Sequence, residues 1–496
     1  MTCMDGKTNV RFGAIGVAAV LLATMMAATP AAAAVCSNAS LKGVYGYFHG
    51  RPGGLGGQPV DAVLGQFTAD GAGHITSGSF TESAGGTIST GTLTGTYSIS
   101  KSCAGTLTFN SENGSPADFN LALDDSNKGF QMIQTDVGDD QPGFGFAQGN
   151  ATCGVPGKKL TLATNFISTL LPSDVPEAIV GLLTLDGKGN LSGSETISDD
   201  GAISTASVTG TYTENANCTG TAEITPSGGT AANFATVVVN AGKELLLLET
   251  DNGTLAGGNG QAAPAKCTNA SLKGVYGYFH GRPGGIGGTL VNAVLGQIDA
   301  DGNGNITSGS FTWAEGNGTI TTGTFTGTYS IEKNCSGTMT LTNEDDGAGS
   351  PVHFDVTLES SKGFQMIQSD NGTAQPGFGV AQGTGTCGLS GKKQALATNL
   401  LATDFSNDSP EAIVGQVTLD GKGNLSGTET FSVNYASTEV SVTGTYTESA
   451  NCTGTAQITP SGGSAANFNT VRVGSGKEVL LLETDNSTLT GGTAQQ

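Results

Sequence analysis

Charge is scarce in this chain of 496 residues: Asp, Glu, Lys and Arg together make up 12% of it. Aromatic residues make up 6%, there is a single tryptophan, Trp313, and the histidines are four: His49, His74, His280 and His353. Basic residues are the rarer charge, 20 Lys and Arg against 42 Asp and Glu, for a net of −22. Nucleic acid and anionic lipid both require a positive surface, so neither is expected as a partner. Solubility outside the cell accounts for the acidity. Beyond the first 34 residues no apolar run is long enough to span a membrane as a helix. The shortage of aromatics and the polar end Gly491–Gln496 also argue against an outer-membrane barrel, which needs aromatic girdles. No Gly-x-Ser-x-Gly elbow, His-Glu-x-x-His pair or phosphate-binding loop is present. What remains is 36% hydrophobic and contains 79 glycines, with abundant Ser and Thr: a β-rich, turn-rich chain rather than a disordered one.

The first segment reads as a leader. Lys7 and Arg11 precede an apolar run from Phe12 to Thr29, and Ala31 to Ala34 supply small residues for cleavage. This is the pattern of a secretory signal peptide over 1–34. The competing reading is an uncleaved anchor; Val35 before Cys36 argues against lipidation of that cysteine.

The rest is an array. Gly43–Gly54 returns unchanged as Gly274–Gly285, and Leu185–Gly193 returns as Leu419–Gly427. A weaker echo relates the stretch after Cys36 to that after Cys153. Repeats of this kind make the folding unit a quarter of the exported chain. The expected modules are 35–150, 151–265, 266–384 and 385–496. The eight cysteines after Cys3 fall two to a module, as Cys36 and Cys103, Cys153 and Cys218, Cys267 and Cys335, and Cys387 and Cys452, separated by 67, 65, 68 and 65 positions. An even count in an exported chain reads as disulfides, and repetition selects one pairing within each module. Zinc sites want closely spaced Cys or His pairs, which are missing, so no metal is expected.

Within module 1, Leu41, Gly43, Tyr45, Tyr47 and His49 alternate with Lys42, Val44, Gly46 and Phe48; Leu93, Gly95, Tyr97 and Ile99 alternate with Thr92, Thr94, Thr96 and Ser98. Period-two alternation predicts strands with one buried face. Turns such as Asp70-Gly71-Ala72-Gly73 separate them. About eight short strands and no helix predict an all-β chain of four tandem up-and-down antiparallel barrels, closure removing exposed sheet edges. Leu41-Lys42-Gly43-Val44-Tyr45 and Leu93-Thr94-Gly95-Thr96-Tyr97 resemble strands of avidin-like and lipocalin-like (calycin-type) barrels. Over its exported length the chain is also similar to uncharacterised secreted bacterial proteins with repeated Leu-x-Gly-x-Tyr and Asp-Gly-x-Gly segments. The resemblance implies architecture and no activity: avidin-like biotin sites use several tryptophans, whereas this chain has only Trp313, and the lipocalin Gly-x-Trp core is missing.

The best candidate site is Tyr45, Tyr47, His49 and Arg51, repeated as Tyr276, Tyr278, His280 and Arg282. Strand spacing puts each set of four on one face, toward the barrel interior, where two phenols, an imidazole and a guanidinium suit a small polar or anionic ligand. The alternative is that the tyrosines fill the core while His49 and Arg51 sit in a solvated loop. The even modules carry Leu160, Leu162, Thr164 and Phe166 instead. Asp299-Ala300-Asp301-Gly302-Asn303-Gly304 matches the opening of a calcium loop, but Ser310 stands where the bidentate Glu belongs, so a hairpin turn is expected. Glu249 and Asp251, repeated as Glu483 and Asp485, are spaced like a glycosidase pair, yet the expectation is that they end their strand in solvent. The sequence therefore predicts a non-enzymatic secreted or cell-surface binding protein, without cofactor, whose partner is an extracellular polymer, a surface component or a small molecule. The alternative is a small-ligand carrier using the lumens of modules 1 and 3; an isomerase-type enzyme is a distant third.

Overall fold

The structure is a computed structural model. It describes residues 36–496 apart from 51–60, 112–113, 125–127, 137–140, 151–152, 154–156, 171–174, 200, 282–291, 345–349, 361, 371–374, 385–386, 389–390, 405–408, 434–435 and 486–487. The leader, Arg51 and Arg282 thus lie outside the described residues. The described chain is all-β, with four closed barrels of eight antiparallel strands each, in sequence order. Barrel 1 contains β1 (Lys42–Gly50), β2 (Asp61–Asp70), β3 (His74–Ala84), β4 (Thr87–Ile99), β5 (Ala104–Ser111), β6 (Ala117–Leu123), β7 (Gly129–Gln134) and β8 (Pro142–Ala147). It closes because β1 pairs with β2 on one side and β8 on the other. Barrels 2, 3 and 4 begin with Leu160–Leu170, Lys273–Gly281 and Gln394–Asp404. The alternation decides which side faces in: on β4, Leu93, Tyr97 and Ile99 are buried while Thr92, Thr94, Thr96 and Ser98 are exposed.

The two repeated sequence signatures meet in space. Asp70 folds its own turn, its Oδ1 accepting the N–H groups of Ala72 (2.6 Å) and His74 (3.0 Å). The Tyr97 hydroxyl accepts the Gly71 N–H at 2.8 Å and donates to the Leu41 carbonyl at 2.9 Å, tying that turn to the start of β1. Gly71 and Gly73 have φ of 82° and 112°, which only glycine adopts at little cost. Tyr212 and Tyr446 take the N–H of Gly187 and Gly421, each at 3.0 Å, and Tyr329 donates to Leu272 O at 2.8 Å. Asp301 likewise caps Asn303 N (2.6 Å) and Asn305 N (3.0 Å), so this run is the hairpin turn expected of it.

Each barrel has one disulfide, with the pairing expected from the repeats and Cα separations of 4.9–5.0 Å. A closed loop of this length stabilises its barrel by about 4 kcal/mol in the chain-entropy picture. The second cysteine of each pair (Cys103, Cys218, Cys335, Cys452) occupies a left-handed position with φ of 69–78°.

The barrels pack in a ring. Phe48, Ala62 and Leu64 on the outside of barrel 1 meet Val237, Val239, Leu246, Leu248 and Leu255 of barrel 2. Phe279, Ala293 and Leu295 meet Val471, Val473, Leu480, Leu482 and Leu489 in the same way between barrels 3 and 4. Gly46 makes the approach possible, since a Cβ there would stand 2.5 Å from a Val239 methyl. The other two seams are smaller and also match. Barrel 2 gives Ala178 and Val180 to Ile367 of barrel 3, and barrel 4 gives Ala412 and Val414 to Ile133 of barrel 1. Asn165 Nδ2 donates to Gln365 Oε1 at 2.8 Å across one, and Asn399 Nδ2 to Gln131 Oε1 at 2.7 Å across the other. The halves are therefore related by a pseudo-two-fold.

Candidate functional site in the barrel lumens

Tyr45, Tyr47 and His49 occupy alternate positions of β1 and all face the lumen, with relative exposures of 2%, 1% and 6%. Tyr45 stacks on Phe67 at 5.6 Å, Tyr47 on Phe109 at 5.0 Å, and His49 meets the Phe119 ring edge-on at 5.0 Å. The tyrosines are thus core residues, and His49 is buried with them rather than lying in a solvated loop. Gly65 is required opposite Tyr47: a Cβ there would fall 2.6 Å from the ring. His49 Nδ1 donates to Gln141 Oε1 at 2.9 Å. Burial pulls the imidazole down to about 4, so it is neutral at physiological pH. Burial pushes the Tyr45 phenol up to about 12, and Tyr47 further still.

Barrel 3 repeats the arrangement and adds a carboxylate. Tyr276, Tyr278 and His280 are buried, and His280 Nδ1 lies 3.0 Å from Gln375 Oε1. The Tyr278 hydroxyl donates to Glu344 Oε1, and His280 Nε2 lies 3.4 Å from the same oxygen. Glu344 is 2% exposed. Burial, and then the Glu344 charge, push the Tyr278 phenol well up. Sequence reasoning missed Glu344. A signal was available: Glu112 stands at the matching place in the sister module, the ninth residue after the second cysteine in both. Glu112 itself lies outside the described residues.

The even lumens differ. Strand pairing places Leu162, Thr164 and Phe166 where barrel 1 has Tyr45, Tyr47 and His49, since Gly181 faces Thr164 as Gly65 faces Tyr47. Buried carboxylates replace the rings. Burial raises Glu195, Glu249, Glu429 and Glu483 to about 7. The expectation that Glu249 and Glu483 end their strands in solvent is wrong. The inward face of Leu245 and Leu247 continues to Glu249, which is 6% exposed and accepts the Thr254 hydroxyl at 2.7 Å. Glu483 is 4% exposed and accepts from Thr488 at 2.6 Å and from Thr490. Their supposed partners are used elsewhere: Asp251 takes Asn233 N at 2.6 Å, and Asp485 takes Asn467 N at 2.6 Å. His74 and His353 are surface residues, bonded to Asp70 (2.9 Å) and Asp370 (2.8 Å). Among the described residues, no three His, Cys, Asp or Glu side chains converge as a metal site, and no helix is long and apolar enough to cross a membrane.

No family model matches the chain, and no curated protein matches it. Among solved structures it is similar to transferrin binding protein B (TbpB). The isotype 1 protein from serogroup B Neisseria meningitidis is 10% identical over 74% of this chain and 83% of that one, with a TM-score of 0.20. A double mutant of the vaccine antigen from Haemophilus parasuis Hp5 gives 10%, 74%, 83% and 0.19. Intact Ap-TbpB, with its N and C lobes, gives 10%, 76%, 86% and 0.21. A likeness at these TM-scores carries no argument, and the fold stands on the strand pairing described above.

Proposed function

We propose that the chain is an exported, non-enzymatic binding protein, and that its partner is a neutral, hydroxyl-rich polymer outside the cell, held on the outer faces of the barrels. One observation carries this reading. A groove of about 580 Å³ runs along the seam between barrels 1 and 2, and every residue lining it is uncharged in a chain of net charge −22. Ser79, Thr81, Thr90 and Thr92 line one wall, Thr219, Thr221 and Thr236 the other, and Phe80 supplies a ring. Hydroxyls beside an aromatic face match a sugar chain, which offers hydroxyls and apolar C–H patches. The matching positions of barrels 3 and 4 carry the same residues throughout, except that Asn469 stands for Ala235. Two such grooves on one scaffold raise the effective concentration of a long polymer at the second once the first is filled.

The modules 35–150, 151–265, 266–384 and 385–496 are taken as the repeating units, and the leader as the export signal. The resemblance to avidin-like and lipocalin-like barrels enters as architecture alone. The small-ligand carrier reading places its site at Tyr45, Tyr47, His49 and Arg51 and their counterparts Tyr276, Tyr278, His280 and Arg282. The ring packing around the six described members favours the outer face instead.

The test is co-sedimentation of the full chain with insoluble neutral polysaccharides. Thr81→Glu with Thr221→Glu blocks the first groove, and Thr312→Glu with Thr455→Glu the second. Blocking either is expected to weaken binding about 10²-fold by loss of avidity, and blocking both to abolish it. Binding by the quadruple variant equal to that of the parent would refute the proposal.

A further inference from the structure

The buried cluster of barrel 3 has room for a positive charge that no protein group supplies. His280 Nδ1 lies 3.0 Å from the Gln375 amide oxygen, which makes Nδ1 the protonated nitrogen and leaves Nε2 a bare lone pair. That lone pair faces Glu344 Oε1 at 3.4 Å, and neither His280 Nε2 nor Glu344 Oε2 has a hydrogen-bond partner. The two side chains are 3% and 2% exposed, so water does not solvate them freely. Two acceptors opposed in a dry interior repel unless a cation sits between them. A shared proton would draw them to about 2.7–2.9 Å, as charge-assisted bonds do; they stand further apart. Glu344 meets Tyr278 and His280 and no Lys or Arg among the described residues.

We propose that barrel 3 binds one divalent transition-metal ion of the zinc or copper kind, with His280 Nε2, the Glu344 carboxylate and the Tyr278 phenol oxygen as its donors. Imidazole nitrogen and carboxylate oxygen suit these ions. Ligands at 2.0–2.1 Å in a tetrahedron stand about 3.4 Å from one another, the separation found between His280 Nε2 and Glu344 Oε1. Gln375 is a positioning residue: its amide fixes the tautomer and aims Nε2, as outer partners of metal-bound histidines do. The even barrels have no imidazole on the matching strand. The site lies in the lumen, away from the seam groove, and stands or falls independently of the polymer reading.

The experiment uses the full chain, stripped with a chelator and dialysed, in a His49→Gln background so that barrel 1 contributes no imidazole. Calorimetric titration with Zn²⁺ is expected to show one ion per chain, and Cu²⁺ in its place should show coupling to a single imidazole nitrogen by electron paramagnetic resonance. Adding Glu344→Gln, which keeps shape and can still bond Tyr278, should remove that ion. No binding in the His49→Gln chain, or an ion retained after Glu344→Gln, would overturn the proposal. If either variant folds poorly, the unsubstituted chain decides. Its melting midpoint must rise with Zn²⁺ in excess of the dissociation constant and stay put with Mg²⁺; an unmoved midpoint with Zn²⁺ overturns the proposal equally.

Discussion

Barrels 1 and 2 share everything that makes a barrel and almost nothing that fills one. Both have eight strands, one disulfide and a tyrosine tied to an Asp-Gly turn. Inside, barrel 1 stacks Tyr45, Tyr47, Phe67, Phe109 and Phe130, while barrel 2 holds Leu162, Thr164, Phe166 and the buried Glu195 and Glu249. The turn code and the outward Thr rows specify closure; the lumen is left free to vary, provided its volume is filled. The acidic interior of the even barrels and the aromatic interior of the odd ones are then two ways of filling one frame, with opposite electrostatic consequences.

The contrast breaks first at Tyr47. Tyr47→Ala is expected to cost barrel 1 roughly 3–5 kcal/mol, as other large aromatic truncations do, whereas Thr164→Ala in barrel 2 should cost about 1 kcal/mol. Native-state hydrogen exchange of each barrel measures both, and equal losses would mean that the rings do not carry the odd core. A second test is pH. His49 falls from 6.5 unfolded to about 4 folded, so barrel 1 loses stability as pH drops through that window. The even carboxylates rise from 4.5 to about 7, so their stability is fully present below 4.5 and lost as pH climbs to about 7. Between pH 7 and pH 5, exchange should therefore slow in barrels 2 and 4 and quicken in barrel 1, about tenfold per pKa unit. Glu195→Gln and Glu249→Gln should flatten the response of barrel 2. The smallest effect belongs to what all barrels share. Asp186→Ala and Asp420→Ala should lower the melting midpoint slightly and alike, and a large loss in one alone would show that the turn does more there than fold itself.

Much of the frame was legible because it is local. Alternation, turn glycines and cysteine spacing each act within a few residues or repeat fourfold, so barrel class, strand number and disulfide pairing could be read from the chain. Tyr45 and Tyr47 were assigned to the interior by the same period. What escaped depends on contacts distant in sequence. Glu344 reaches Tyr278 across 66 positions. Glu249 looked like a strand end because nothing local says that the inward face continues past Leu247. The ring was invisible for a similar reason: Ala178 and Val180 look like any buried strand until Ile367 is placed against them.

That ring has a history written into it. The small seams use the same residues in each direction, Asn165 to Gln365 and Asn399 to Gln131. Each half of the chain thus carries both the donor and the acceptor surface of the joint it makes. A free-standing half would be its own complement, and two copies would close as an isologous pair with no edge left to recruit a third. In assembly terms the chain is a covalent dimer, and the second covalent copy leaves one of two equal lumens free to acquire chemistry while the other keeps the frame.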